Sequence, residues 1–98
     1  MTGQYFLNDG VPVPAPSLVA WANWIGVNDR TIARTEVGEV TVSTVFLGLD
    51  HNFFGGTPLL FETLVFGGEH ADDMERYATL DEARRGHDRM VALIRGEA

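Results

Sequence analysis

The spacing of apolar residues changes period along the chain. Leu18, Trp21, Ala22 and Ile25 recur at helical spacing. A helix is expected to open at Pro16, a residue suited to a first helical position. Gly26 weakens it and Asn28-Asp29 stops it. Trp24 lies off the stripe, where it either widens the buried face or stands exposed for a partner. Ahead of this helix, the alternating prolines of Val11-Pro12-Val13-Pro14-Ala15-Pro16 predict an extended, polyproline-like lead-in. From Arg30 the period becomes two. Thr31 to Glu36 reads as a strand, Val37-Gly38 as a tight turn, and Glu39 to Leu49 as the strongest strand, rich in β-branched residues. Asp50 to Thr57 is a connection, and Leu59 to Phe66 is the next strand, ended by Gly67-Gly68. Glu69 to Glu75 is a polar loop, and Arg76 to Ala78 a short edge strand.

The period then returns to 3.6. Thr79-Leu80-Asp81-Glu82 has the form of a capping box, in which the Thr hydroxyl and Glu carboxylate satisfy free backbone donors. The helix it opens runs from Leu80 to Arg95 with an apolar stripe of Leu80, Ala83, His87, Met90, Val91 and Ile94, and Gly96 suits its stop. Arg84, Arg85, Asp88 and Arg89 fall on the wet side, partly paired with one another and with Glu82. The order predicts one domain over 1–98: a two-layer α+β fold with a three- or four-stranded antiparallel sheet, an N-terminal helix and a C-terminal helix. Both central strands are apolar on both faces, apart from Ser43, Thr44, Glu62 and Thr63. A sheet with one wet face alternates more cleanly. The second face is therefore expected to be covered by helix, loop or another subunit, which favours a homo-oligomer.

Charge narrows the functional classes. The 98 residues hold 14 acidic and 7 basic side chains, every cation is Arg, and the net charge is −7. Phosphate neutralisation needs a basic stripe, so general nucleic-acid binding and anionic-membrane binding are not expected. The absence of Cys removes disulfides, thiolate zinc sites and a Cys nucleophile. The N-terminus has no secretory pattern and no run reaches membrane-spanning length, so a cytoplasmic protein is expected. There is no phosphate-loop lysine and no Gly-x-Gly-x-x-Gly opening a helix, so no cofactor is expected.

The densest candidate chemistry is Asp50-His51-Asn52, directly after the strongest strand. Asp50 and His51 could hold a metal, orient a general base or bind a ligand, although no metal-ligand spacing is present. Alternatively, Asp50 or Asn52 bonds local backbone N–H groups as turn chemistry. Gly55-Gly56 could present N–H groups to an anion. Glu62, inside an apolar strand, needs a partner. From Thr41 to Phe66 the only charged residues are Asp50 and Glu62, so Arg34, Arg76, the last helix, a ligand or a subunit must reach them. His87 is either a satisfied core residue or, if it faces Glu62, part of a site. His70 lies in a solvated loop with Asp72 and Asp73.

The stretches Val42-Ser43-Thr44-Val45-Phe46-Leu47-Gly48-Leu49-Asp50-His51-Asn52-Phe53 and Pro58-Leu59-Leu60-Phe61-Glu62-Thr63-Leu64-Val65-Phe66-Gly67-Gly68 carry a resemblance. So do Trp21 and Trp24, Asn28-Asp29-Arg30, Arg76-Tyr77 and Gly86-His87. On these residues the chain resembles a set of short uncharacterised proteins of tailed bacteriophages and prophages. It departs from that pattern at Phe54, in place of Gly, and at Thr57, in place of Pro, which leaves the loop geometry open. The resemblance implies a phage accessory product acting inside an infected bacterium, with no activity to carry over.

Three functions follow as expectations. The first is a non-enzymatic host-defence antagonist that sequesters a small nucleotide signal in an oligomeric pocket, with Asp50, His51, Asn52, Gly55, Gly56, Glu62 and His87 as ligand-binding candidates. The second is an acidic protein–protein inhibitor of a host nucleic-acid-binding enzyme. The third is a small hydrolase using Asp50, His51 and Glu62, with His87 as an added member.

Overall fold

A computed structural model describes residues 3–96. The chain is α+β, with two helices, a two-stranded antiparallel sheet and a four-stranded antiparallel sheet. The first surprise is at the N-terminus. β1 (Tyr5–Asn8) and β2 (Val11–Pro14) form a hairpin where a polyproline lead-in was expected. Its turn is Asp9-Gly10, with φ of 48° and 80°, the double positive that Asp-Gly tolerates. Bonded pairs alternate away from the turn, Asn8–Val11 and then Phe6–Val13. Pro12 and Pro14 therefore fall where a backbone N–H would point away from β1, so neither removes a ladder bond.

Helix α1 (Leu18–Val27) is capped by Ser17, whose hydroxyl accepts from the Ala20 N–H; Pro16 precedes the cap. Its inward side is also different from the expected stripe. Leu18 and Ala22 are exposed, whereas Trp24 stacks on Phe6 with ring centroids 5.5 Å apart and meets Phe46 edge-on at 5.8 Å. The Trp21 indole donates to the Gly48 carbonyl at 2.9 Å. Gly48 has φ 73° and its missing Cβ leaves room for Ile25 and Trp21, which is why the preceding strand stops short of Leu49.

The main sheet is a meander of β3 (Thr31–Val37), β4 (Val40–Phe46), β5 (Phe61–Phe66) and β6 (Met74–Tyr77). Helix α2 (Leu80–Arg95) packs on one face. The threonine half of the expected capping box forms, with Thr79 Oγ1 accepting from the Glu82 N–H at 3.2 Å; the Glu82 carboxylate accepts from the Thr79 hydroxyl at 3.1 Å instead of from a backbone N–H, and Gly96 ends the helix in the left-handed region. Val42, Phe46, Phe61 and Val65 point to this inner face and are fully buried. Met90 and Val91 pack on Val42 and Val65, while Tyr77 and Ala83 join Phe46, Leu60 and Phe61. Gly86, in mid-helix, admits the Tyr77 ring; a Cβ there would overlap it.

The outer face differs from expectation. Register sets Thr41 beside Phe66, Ser43 beside Arg34 and Leu64, and Val45 beside Glu62. Thr41, Ser43, Val45 and Leu64 are half-buried, and Phe66 is 52% exposed. Among the described residues no helix covers the centre of this face. The expected cover is not supplied by the described residues.

Candidate functional site

The Asp50–Thr57 loop is built by its own polar groups. Asp50 Oδ1 accepts from the N–H groups of Asn52 at 2.8 Å and Leu59 at 3.0 Å. Its partners are backbone donors, where a cation or ligand had been one expectation. His51 donates from Nδ1 to the Leu49 carbonyl at 2.8 Å. Asn52 Nδ2 donates to the Thr57 carbonyl at 2.8 Å. Gly55 and Gly56 sit exposed at the tip with φ of 84° and 90°.

Glu62 and His87 do not join that loop or each other. Glu62 is on the outer face, opposite Arg76 in register, and accepts from Arg76 Nε at 3.0 Å. His87 is on the inner face, 3% exposed. The sheet separates them, so the seven sequence candidates fall into three separate places. The geometry a hydrolase would need from Asp50, His51, Glu62 and His87 is not assembled. Among the described residues, no group of three or more His, Asp or Glu is placed to hold a metal ion.

Around His87 lies a polar network that the sequence did not announce. Its Nε2 is 2.8 Å from Thr35 Oγ1 and its Nδ1 is 2.8 Å from Thr44 Oγ1. Thr44 Oγ1 lies 2.5 Å from Thr63 Oγ1, and the Tyr77 hydroxyl lies 3.1 Å from Thr63 Oγ1 and 3.2 Å from Glu75 Oε2. Arg89 reaches the same Glu75 oxygen at 3.4 Å. A neutral imidazole has one N–H and one lone pair, so it can satisfy two hydroxyls at once. Burial holds the His87 pKa below the ordinary imidazole value, against a smaller opposing pull from Asp88. Burial likewise pushes the Tyr77 phenol up, with the Glu75 charge adding to it. Thr44 and Thr63 are fully buried, so the heart of this network is closed to solvent while it joins α2 to all four strands of the main sheet. The signal was faint but present: Thr44 and Thr63 keep the two-residue phase of Val42, Phe46, Phe61 and Val65.

The outer face does offer a surface. Arg34, Thr41, Ser43 and Phe66 line an open hollow of about 250 Å³. Register explains it. The short side chains of Ser43 and Thr41 make the floor, while Arg34 on β3 and Phe66 on β5 rise on either side. A second hollow of about 260 Å³ is lined by Ile25, Asn28, Asp29, Arg30, Thr31 and Val45. There Arg30 already donates to the Phe46 and Leu47 carbonyls. Asp29, whose pKa is lowered by accepting from Thr31, adds negative charge.

The chain matches no family model, no curated protein and no solved structure. No described helix is long and apolar enough to cross a membrane.

Proposed function

We propose that this is a non-enzymatic, phage-encoded accessory protein of the host cytoplasm that sequesters a small nucleotide signal on the outer face of its four-stranded sheet. The observation that carries this reading is the hollow between Arg34 and Phe66. An exposed phenyl ring gives a base a stacking surface. Across from it stands the Arg34 guanidinium, paired through Nη2 with Glu36 at 3.2 Å, whose remaining N–H groups can donate to a phosphate. The hydroxyls of Ser43 and Thr41 between them suit a ribose or phosphate oxygen. Arg34 is one of few cations on a strongly acidic chain, so anion recognition is local rather than spread along the surface. The site therefore moves from the Asp50 loop to the sheet face. The acidic-inhibitor reading draws less support, because five of the 14 carboxylates, Glu36, Glu62, Asp73, Glu75 and Asp81, already have an Arg or His partner within reach, which dilutes the free acidic surface it would use.

Calorimetry with cyclic mono-, di- and oligonucleotides tests it. Micromolar binding is expected for at least one, weakened at least about tenfold by Phe66→Ala, the loss of one stacking contact. Arg34→Ala should act likewise, and His51→Ala should leave binding unchanged. Silence across the panel would remove the reading.

A further inference from the structure

The outer edge of β3 is unpaired among the described residues. Val37 and Val40 flank a two-residue turn and form the first bonded pair, so bonded pairs recur at Thr35–Val42 and Ala33–Thr44. The alternate residues, Arg34 and Glu36, therefore aim their backbone N–H and C=O groups away from β4. Their side chains stand on the outer face, where Arg34 Nη2 and Glu36 Oε1 are 3.2 Å apart. The edge carries no Lys or Pro; its register shift lies between Thr31 and Ala33, at the start of the strand, and leaves Arg34 to Val37 regular.

We propose that β3 pairs antiparallel with β3 of a second copy, about a two-fold axis at Thr35, so that two four-stranded sheets become one continuous sheet. The occupant is argued from charge. Only two-fold registers centred on Arg34, Thr35 or Glu36 bring outward-facing backbone groups together near the middle of the strand. A centre at Arg34 sets two cations face to face, and a centre at Glu36 sets two carboxylates face to face. The centre at Thr35 sets Arg34 opposite the partner's Glu36, and Glu36 opposite the partner's Arg34. With the pairing already present inside each strand, the four charges then alternate in sign around a square. On the inner face the same register sets Ala33 against the partner's Val37, so apolar meets apolar. The interface is isologous and closes as a dimer. It leaves the two Phe66 rings uncovered, but it shares Arg34 with the nucleotide reading, so it is tested without nucleotide.

Sedimentation equilibrium of the full chain without nucleotide tests it. A dimer is expected for the wild type. Glu36→Arg turns two attractive cross-strand pairs into repulsive ones and should weaken the dimer at least about tenfold. The double exchange Arg34→Glu with Glu36→Arg should restore it, although it abolishes nucleotide binding. Phe66→Ala should leave it intact. Amide hydrogen exchange gives a second readout, with the Arg34 and Glu36 N–H groups protected in the wild type and released by Glu36→Arg. A monomeric wild type, a Glu36→Arg variant that dimerises as tightly as the wild type, or a double exchange that stays monomeric would each overturn the proposal.

Discussion

Replacing His87 by Ala tests the strongest structural reading, that α2 is bolted to the sheet by a neutral imidazole between two hydroxyls. The substitution removes both contacts, to Thr35 and to Thr44. At about 1 kcal/mol net for each hydrogen bond, that is about 2 kcal/mol. A poorly filled space where the ring stood adds a cavity cost of roughly 1 kcal/mol or more. The expected loss is about 3 kcal/mol at neutral pH, a large share of the stability of a domain this size. Urea unfolding followed by the fluorescence of Trp21 and Trp24 measures it, and the midpoint should fall with the slope unchanged. The pH dependence gives a second, independent check. The folded-state pKa of His87 is lowered, so below an unfolded value of about 6.5 the unfolded wild type binds a proton that the folded state refuses. Wild-type stability then falls relative to the variant by up to about 1.4 kcal/mol per pH unit, until the folded-state pKa is reached. The difference between the two proteins should thus be full above pH 7 and narrow on acidification. A loss of less than about 1 kcal/mol at pH 7, or a difference that widens on acidification, would show that His87 does not bolt α2 to the sheet.

Two further substitutions probe neighbouring points. Gly86→Ala should destabilise by about 1–3 kcal/mol in thermal unfolding, because overlap with the Tyr77 ring outweighs the roughly 1 kcal/mol that Ala gains over Gly in a helix. Asp50→Ala removes the acceptor of the Asn52 and Leu59 N–H groups and should cost about 2 kcal/mol in the same assay, with nucleotide affinity unchanged.

Much of the fold was legible where local chemistry and tertiary packing agree. The Thr79 cap, the Gly96 stop and the inward stripe of Ala83, His87, Met90 and Val91 all stand as the sequence implied. The N-terminal hairpin was hidden by Pro12 and Pro14, which argue against a strand unless their phase relative to the Asp9-Gly10 turn is known. For Trp24 the first of the two readings holds: it widens the buried face of α1, which is set by Phe6 and Phe46, residues distant in sequence. The outer face misled for a related reason. Val45 and Leu64 look like core residues in the sequence, but they share their rows with Glu62 and Arg34. The candidate site suffered most. Asp50, His51 and Glu62 are the chemically conspicuous residues, yet two of them serve the loop and the third an ion pair. The hollow is assembled from Arg34, Thr41, Ser43 and Phe66, contributed by three strands, and only the pairing register brings them together.

The proposed ligand seat is the hollow between Arg34 and Phe66. The most direct measurement is a two-dimensional amide NMR titration with the tightest nucleotide found by calorimetry. Shifts concentrated at Arg34, Thr41, Ser43 and Phe66, with the Asp50–Thr57 loop unmoved, are the predicted result. Shifts concentrated at His51, Asn52, Gly55 and Gly56, or none at all, would contradict it.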